Sequence, residues 1–491
     1  MQMRTATGVA GVFVALLASA TAAHASPVPA PAKKTTYRVV QLSTPWAYGV
    51  DINAKGQVAF NEYDPTDPSP NTVWRARLYD GTVVRNLGTL GGLSATATAL
   101  NDAGQVVGSS SVSPTSTVGH AFRWCRETGM INLAPPGAEN SSASDINSLG
   151  WVTGNAVFPG GRHAFRWTPR TGMVDLGSLS RGASGTALND AGIVVGESEG
   201  ANLSAPRAAV VWPGKSPVAL NTLGTPYSAA WDINNAGQVV GFGSTDNATG
   251  IAVMWTPHKG VLDLGLPRSL MSSAEKINAK GLVIGITATQ GSAPRRGFVW
   301  SRESGPLILG TADIETRTRD LNNLGQVVGD FNGRAFVWTR AEGVVDLNAR
   351  IPGAPPDLVL HEASAISDNG TIVANSNVGL VLLVPGAGYH LPPVAGPVQM
   401  TGTPGANALL SFSASFRDVD VRERHKAVWS WGDGSQSVAT VSGARGGGSV
   451  SGQHAYRRAG SHVVKLTVTD SSGKCTTVAY LVNVSAAKAA G

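Results

Sequence analysis

LNDAGQVVG, residues 100–108, followed by HAFRW at 120–124, decides how this chain is read, because variants of that pair recur along most of its length. The turn element returns as DINAKG (51–56), DINSLG (145–150), LNDAG (188–192), DINNAG (232–237), KINAKG (276–281), DLNNLG (320–325) and, decayed, ISDNG (366–370). Its anchors are Asn53, Asn101, Asn147, Asn189, Asn234, Asn278, Asn322 and Ser367, spaced 42–48 residues apart. A period of about 45 residues belongs to propellers and some helical arrays, not to leucine-rich repeats of about 20–29.

The content of each copy chooses between those options. One copy contains four strand-like pieces: SATATALN (94–101), QVVGSSS (105–111), HAFRW (120–124) and MINLA (130–134). Later copies end in MVDLG (173–177), VALN (218–221), VLDLG (261–265), LILG (307–310), VVDLN (344–348) and YHL (389–391). Four short strands per period predict the blades of a β-propeller. Asn-x-x-Gly suits a turn in which the Asn side chain bonds the backbone two residues on and Gly closes it. The next strand is apolar at consecutive positions (Val106-Val107, Val194-Val195, Val239-Val240, Val327-Val328), as expected of a sheet covered on both faces. The third piece ends in Tyr79, Trp124, Trp167, Trp212, Trp255, Trp300, Trp338 and, last, Leu382. These rings are expected to fill the wedges between blades, each indole N–H on a backbone carbonyl, rather than to form a row of sugar-stacking platforms. A surplus strand, YRVVQLS (37–43), is placed to complete the last blade and close the ring. Eight blades are expected, with seven left open.

With 42% hydrophobic and 14% charged residues over 491 positions, the chain has the apolar content for two or three packed domains, which excludes disorder as its main state. Sixty glycines and few apolar residues at three- and four-residue spacing predict an all-β protein. The net charge of +6 is scattered rather than gathered in a basic stripe, which argues against nucleic acid as a partner. Arg4, an apolar run over 9–20 and Ala23-His24-Ala25 match a secretory signal peptide over 1–25, followed by a Pro/Ala-rich linker at 26–35. The expected compartment is therefore secreted and extracellular, and no other window approaches the ~20 apolar residues of a membrane span. Cys125 and Cys475 fall one in each presumed domain; a bridge is left open beside the plainer reading of two partly buried free thiols.

HAFRW at 120–124 and 163–167, each followed by TG-Met-x-(Asn/Asp)-Leu, with SxAxxIN-x-x-G-x-VVG between them, resembles the HAF repeat of extracellular bacterial proteins. The likeness spans roughly 36–391. Several copies depart from it: AAVVW (208–212), AVMW (252–255) and GFVW (297–300) carry Ala208, Ile251 and Arg296 where the His would stand. It implies a secreted repeat protein of a family without an established activity. Past the Pro-rich LPPVAGP (391–397), the chain reads as alternating strands: LLSFSASF (409–416), VWSWGDG (428–434), HAYRRAGSHVVKLTVTD (454–470) and TTVAYLVNV (476–484). WGDG paired with HAYRRAGSHVVKLTVTD is close to the signature of PKD domains, which implies an immunoglobulin-like β-sandwich. The expected division is a propeller at 36–394 and a PKD domain at 397–486.

No catalytic residue or cofactor site stands out: there is no nucleophile elbow, no H-E-x-x-H, no zinc-spaced Cys/His cluster and no phosphate loop. His120 and His163 share a phase, which suggests a paired-imidazole metal site, but other copies tolerate Ala, Ile or Arg there. Asp145, Asp175, Asp232, Asp263, Asp320 and Asp346 are candidates for a charged ring around a central channel, or for side-chain bonding to turn backbone. In the second module, Asp418, Asp420 and Asp433 are calcium candidates, weighed against surface pairing with Arg417, Arg422 and Arg424 and, for Asp433, a turn role. The expected function is a non-enzymatic binding or adhesion protein whose propeller loops engage a polysaccharide or protein at the cell surface, with the PKD domain as spacer or docking unit. The alternative is a carbohydrate-active enzyme, a polysaccharide lyase or glycoside hydrolase. Either function should lie where the copies differ, as at 61–73, 109–119 and 243–250.

Overall fold

Asn101 shows how each copy folds. Its Oδ1 accepts the N–H groups of Ala103 (3.1 Å) and Gln105 (3.0 Å), its carbonyl accepts from Gly104 (2.9 Å), and Gly104 sits at φ +77°. Only glycine adopts that left-handed backbone without strain, so the turn is closed for a conformational reason. Val106–Ser111 then runs back along Ala95–Leu100, whose register slips between Ala97 and Ala99. The bulge drives the Thr96 carbonyl to within 1.9 Å of where a Cβ on Gly108 would stand, which explains the glycine ending each VVG.

The computed structural model describes residues 34–43, 46–63, 73–115, 118–202, 205–244, 250–257, 259–289, 294–352, 354, 357–386, 393–418, 424–443, 447–471, 473 and 475–486. The expected signal peptide and all but the end of the linker lie outside them. The described residues form an all-β chain whose only helical element is a 3-10 turn, Leu347–Arg350. Eight four-stranded antiparallel sheets follow the repeat. Sheet one is Ala47–Ile52, Val58–Tyr63, Trp74–Tyr79 and Val84–Asn86, and sheet two Ala95–Leu100, Val106–Ser111, Gly119–Cys125 and Gly129–Asn132. The first strands of sheets three to seven are Ser141–Ile146, Ala183–Leu188, Tyr227–Ile233, Leu270–Ile277 and Thr316–Leu321. Sheet eight takes Leu360–Ile366, Ile372–Ser376 and Gly379–Pro385 from the last copy, and its fourth strand is Tyr37–Gln41, paired with Tyr37 opposite Pro385. The surplus strand thus completes the last sheet, as expected; YHL at 389–391 lies outside the described residues.

Packing follows the same circuit. Each apolar cluster of this region draws on two consecutive sheets, from Leu78 and Ala59 of sheet one with Phe122 and Trp124 of sheet two onward. The last joins Val373 and Leu382 of sheet eight to Ile52 and Phe60 of sheet one. Both members of each Val-Val pair are buried, as a sheet with two covered faces requires. Trp124, Trp212, Trp255, Trp300 and Trp338 all stand inside these seams, so the repeated ring is a wedge filler. Trp255 Nε1 donates to the Asn221 carbonyl at 2.5 Å, but Trp212 Nε1 is buried with no acceptor, so the expected carbonyl partner is not general.

Polar bonds stitch the seams at the turns. Asn53 Nδ2 donates to the Asn101 carbonyl (3.1 Å), Asn101 to Asn147 (3.0 Å), Asn147 to Asn189 (3.0 Å), and Asn189 to Asn234 (3.3 Å). Asn234 donates to Asn278 (3.1 Å), Asn278 to Asn322 (2.9 Å) and Asn322 to Ser367 (3.0 Å). Ser367 has no amide, and Asn369 takes its place: its Oδ1 accepts from Thr371 N and its Nδ2 reaches the Ala54 carbonyl of sheet one at 3.3 Å.

Beyond residue 393 two further sheets face each other. One joins Val394–Ala395 and Gln399–Thr401 to Leu409–Arg417, Gly447–Ala455 and Thr440–Ser442; the other orders Gln436–Val438, His425–Ser430, Gly460–Asp470 and Cys475–Val484. Trp429, Trp431, Phe412 and Tyr456 fill the space between them. Three details differ from expectation. Pairing begins at Val394, before 397; the run read as one strand over 454–470 breaks around Tyr456; and glycine-rich Gly447–Ala455 is a strand that the sequence reading passed over. Both cysteines are free; Cys125 is buried and Cys475 is exposed rather than partly buried.

Replacing one turn asparagine removes two acceptor bonds and leaves a neighbouring buried carbonyl without its donor. Asn234→Ala is expected to lower unfolding stability by about 2–4 kcal/mol. Asn234→Asp, which keeps the acceptor bonds, should lose less. Urea denaturation checks both; an Asn234→Asp protein as stable as the parent would deny the cross-sheet donor its role.

Candidate functional site

The first strands of sheets one, two, three, seven and eight and the turns after them contribute to a cavity of about 320 Å³, lined by Asp51, Asn53, Asp102, Ser148, Asp320, Asn322 and Asp368 among others. Two positions before each turn asparagine the residues alternate: Asp51, Ala99, Asp145, Ala187, Asp232, Lys276, Asp320, Ala365. Each aspartate reaches across to the next sheet. Asp51 Oδ2 accepts from Leu100 N (2.9 Å), Asp145 from Leu188 N (2.9 Å), Asp232 from Ile277 N (2.9 Å) and Asp320 from Ile366 N (2.8 Å). The other oxygen of the first three accepts the N–H of the following residue at 2.8 Å, whereas Asp320 Oδ1 takes Lys276 Nζ at 2.8 Å.

Burial pushes Asp51 up to about 7, against the opposing pull of Lys276 and two main-chain N–H groups, and pushes Asp145 up to about 6. Asp232 is raised for the same reason. Burial works against the Lys276 ammonium too, but the Asp320 carboxylate overrides it and holds lysine above its usual range. Lys276 is surrounded by protein yet keeps 46% of its side chain exposed, so it stands in space that water enters.

The six acids singled out from sequence therefore part company. Asp145, Asp232 and Asp320 end first strands and bond the next sheet, as does Asp51, which the sequence reading omitted; of these, Asp51 and Asp320 line the cavity. Asp175, Asp263 and Asp346 end outer strands, where His163, Arg268 and Arg334 pair with them. His120 and His163 do not form a metal pair. Buried His120 donates from Nε2 toward the Ala138 and Glu139 carbonyls (3.2 and 3.1 Å) and accepts at Nδ1 from Asn132 (2.9 Å). His163 stacks on Phe158 and holds Asp175 at 3.0 Å. The phase thus pairs with a residue twelve positions on, as Arg334 does with Asp346, a signal that comparing third and fourth strands would have revealed.

The calcium candidates are dispersed among different partners. Asp418 is buried against His425 (2.6 Å), a histidine where arginine pairing was expected, and Asp420 lies outside the described residues. Asp433 caps its turn through Ser435 N (3.0 Å) and meets His454 at 2.8 Å. Against burial, these bonds hold its carboxyl at about 2. No group of three or more His, Cys, Asp or Glu side chains suited to a metal ion occurs among the described residues. None of their helices is long and apolar enough to cross a membrane.

One feature of sheet one has no counterpart in the repeat. Trp46 is 62% and Tyr48 41% exposed, and both join Tyr63 and Trp74 in a set of edge-on rings: Tyr48–Trp74 at 5.2 Å, Tyr63–Trp74 at 5.9 Å, Trp46–Tyr63 at 6.4 Å. At the phase of Trp46 other copies carry Ser94, Asn140, Gly182, Tyr227, Met271 and Glu315; at that of Tyr48, Thr96, Ser142, Ser184 and Ala229. Buried Asn61 fixes the set, donating to Tyr48 Oη (3.1 Å) while bonding Ala97 of sheet two on both sides. Of the irregular segments expected to hold function, 64–72, 116–117 and 245–249 lie outside the described residues, and Tyr63 and Trp74 flank the first.

Two outcomes follow. A carboxyl raised from its ordinary ~4 makes the folded state the better proton binder between pH 4 and 7, so stability falls as pH rises through that window. The melting temperature should drop between pH 5 and pH 8, with a shallower slope in Asp51→Asn; identical slopes would remove Asp51 as the cause. With Asp418 and Asp433 engaged by separate histidines, EDTA and added Ca²⁺ should leave the melt unchanged. A rise with Ca²⁺ would reinstate those acids as ligands.

Residues 391–484 match the PKD domain family. Among solved structures, the PKD1 domain of Vibrio anguillarum Epp is similar at 25% identity over 20% of this chain and 100% of that one, with a TM-score of 0.16. TolB from Acinetobacter baumannii is similar at 11% identity over 68% of this chain and 64% of its own, TM-score 0.34. The extracellular domain of a putative hybrid two component system from B. thetaiotaomicron is similar at 12% identity over 89% and 68%, TM-score 0.27. No curated protein matches the chain. The chain thus contains a PKD domain behind eight four-stranded sheets.

Proposed function

We propose that residues 36–394 close into an eight-bladed β-propeller of the HAF-repeat type and that the chain is a secreted, non-catalytic glycan-binding protein, with the PKD domain at 397–486 as spacer or docking unit. Closure is supported by the amide bonds that return from Asn369 to Ala54 and by the apolar seam between sheets eight and one. The binding reading rests on Trp46, Tyr48, Tyr63 and Trp74. Water-exposed indole and phenol rings add nothing to the seams, yet offer the flat apolar faces on which the C–H side of a pyranose stacks. Arg77 and Glu62, paired at 2.9 Å on the same strands, supply hydrogen-bonding groups for hydroxyls.

An enzymatic reading draws on Asp51 and Asp145, whose raised carboxyls sit in the range of a glycosidase acid. Both oxygens of each already accept main-chain N–H groups, an arrangement that favours stapling sheets over proton transfer.

The test is retention of the full chain on isolated cell-wall polysaccharides and a glycan array. Trp46→Ala with Trp74→Ala should weaken retention about tenfold or more, as loss of a stacking contact worth over 1.4 kcal/mol requires. Its melting curve should stay close to wild type. Retention on no polysaccharide, or equal retention by the variant, overturns the reading, as does capture by a protein partner alone.

A further inference from the structure

Most arginines of the eight sheets are neutralised: Arg77 by Glu62, Arg207 by Glu197, Arg268 by Asp263, Arg319 by Glu362, Arg334 by Asp346, and both Arg162 and Arg181 by Glu199. One cavity, of about 620 Å³, departs from this habit. Trp151, Arg166, Thr168, Arg170, Thr171 and Lys215 line it, with Asn483 of the second module's last strand, and no Asp or Glu is among its described lining residues. Arg170 and Lys215 are exposed. Arg166 spends one N–H on the Gly192 carbonyl (2.7 Å), and its guanidinium lies 5.8 Å from the centre of the Trp151 ring. Three cations around one hollow, with no anion to answer them, repel one another and favour an anionic occupant.

Trp151 is itself a departure. At its phase four copies carry Gln57, Gln105, Gln238 and Gln326, whose Oε1 atoms accept the turn asparagine's Nδ2 at 2.7–2.9 Å, and three carry the smaller Ile193, Leu282 and Thr371. A tryptophan there gives up that bond. It packs partly against the seam between sheets three and four, and the remainder of the indole faces the cavity. The Thr168 and Thr171 hydroxyls, 2.8 Å apart, stand on the same wall.

We propose that this cavity binds an anionic sugar: a pyranose ring laid against Trp151, its carboxylate or sulfate held by Arg170, Lys215 and the remaining N–H groups of Arg166. The guanidinium fork and the ammonium supply charge-assisted hydrogen bonds to the oxyanion. The indole supplies apolar contact, the threonines supply partners for sugar hydroxyls, and the volume lies within the about 300–1,000 Å³ of small-ligand sites. The site is independent of the sheet-one rings: Trp46 precedes the first strand of its sheet, whereas Trp151 follows the turn that ends one.

Titration calorimetry on the full chain decides the matter, with trigalacturonate and a sulfated heparin disaccharide as anionic probes, maltotriose as the neutral control and inorganic sulfate as the bare oxyanion. Binding of either anionic sugar should fall at least tenfold in Arg170→Gln/Lys215→Gln, and should weaken at 0.5 M NaCl, since exposed cations are screened. Trp151→Gln, which restores the residue other copies use, should keep the fold and lose affinity. The Trp46→Ala/Trp74→Ala protein should bind the anionic sugars as wild type does, so that failure here and failure of the glycan-binding reading are distinguishable. Unchanged affinity in the double variant overturns the proposal. Equal affinity for inorganic sulfate, or for maltotriose, overturns its sugar or its charge component.

Discussion

The side-chain amide of the turn asparagine is the interaction on which the rest of this architecture depends. Its oxygen closes its own turn and its nitrogen crosses to the carbonyl of the next sheet, so one residue satisfies two main-chain N–H groups of its turn and one buried carbonyl of its neighbour. An interface between sheets buries main-chain polar atoms along with valines and tryptophans, and an unmet carbonyl there costs more than a bond returns. That asymmetry makes the asparagine hard to replace. The eighth copy shows the constraint acting: Ser367 cannot donate across, and Asn369 assumes both tasks.

The aspartates add a second set of staples, at alternate sheets only. The sheets they leave unserved are partly covered by threonine: Thr98 Oγ1 donates to the Ala143 carbonyl (2.9 Å) and Thr186 Oγ1 to that of Ala230 (2.8 Å). The repeat therefore alternates in pairs of sheets. Lys276 stands at the same position in sheet six, bonded to Asp320, and its charge opposes the burial that pushes Asp51, Asp145 and Asp232 toward protonation. The electrostatics of the sheets and the bonds between them are thereby tied to one recurring position.

Aromatic residues divide by phase. Those that recur are buried in the seams, where their area holds consecutive sheets together. Several that do not recur stand apart: Trp46 and Tyr48 are exposed, Tyr63 and Trp74 half-buried beside them, and Trp151 lines a cavity. A residue present in every copy answers a demand every copy shares, which is folding. A residue present in one copy is released from that demand, and binding chemistry finds room there.

The period, the turn chemistry and the alternation of apolar residues are local properties, so the amino-acid sequence by itself determined the eight copies, their short strands, the strand Tyr37–Gln41 that completes the last sheet and a separate β module near residue 397. It did not reveal the strand Gly447–Ala455, because glycines carry no side-chain pattern to read. Only the tertiary structure decided which acids meet. Asp145, Asp232 and Asp320 staple consecutive sheets, as an overlooked Asp51 does, while Asp175, Asp263 and Asp346 end outer strands. It likewise gathered Trp46 with Trp74, and Trp151 with Arg170 and Lys215. Each of these groupings joins residues from different strands or sheets, and a bulge, a turn and a strand pairing intervene between partners. The distance along the chain says nothing about that meeting, whereas the folded seams leave it no alternative.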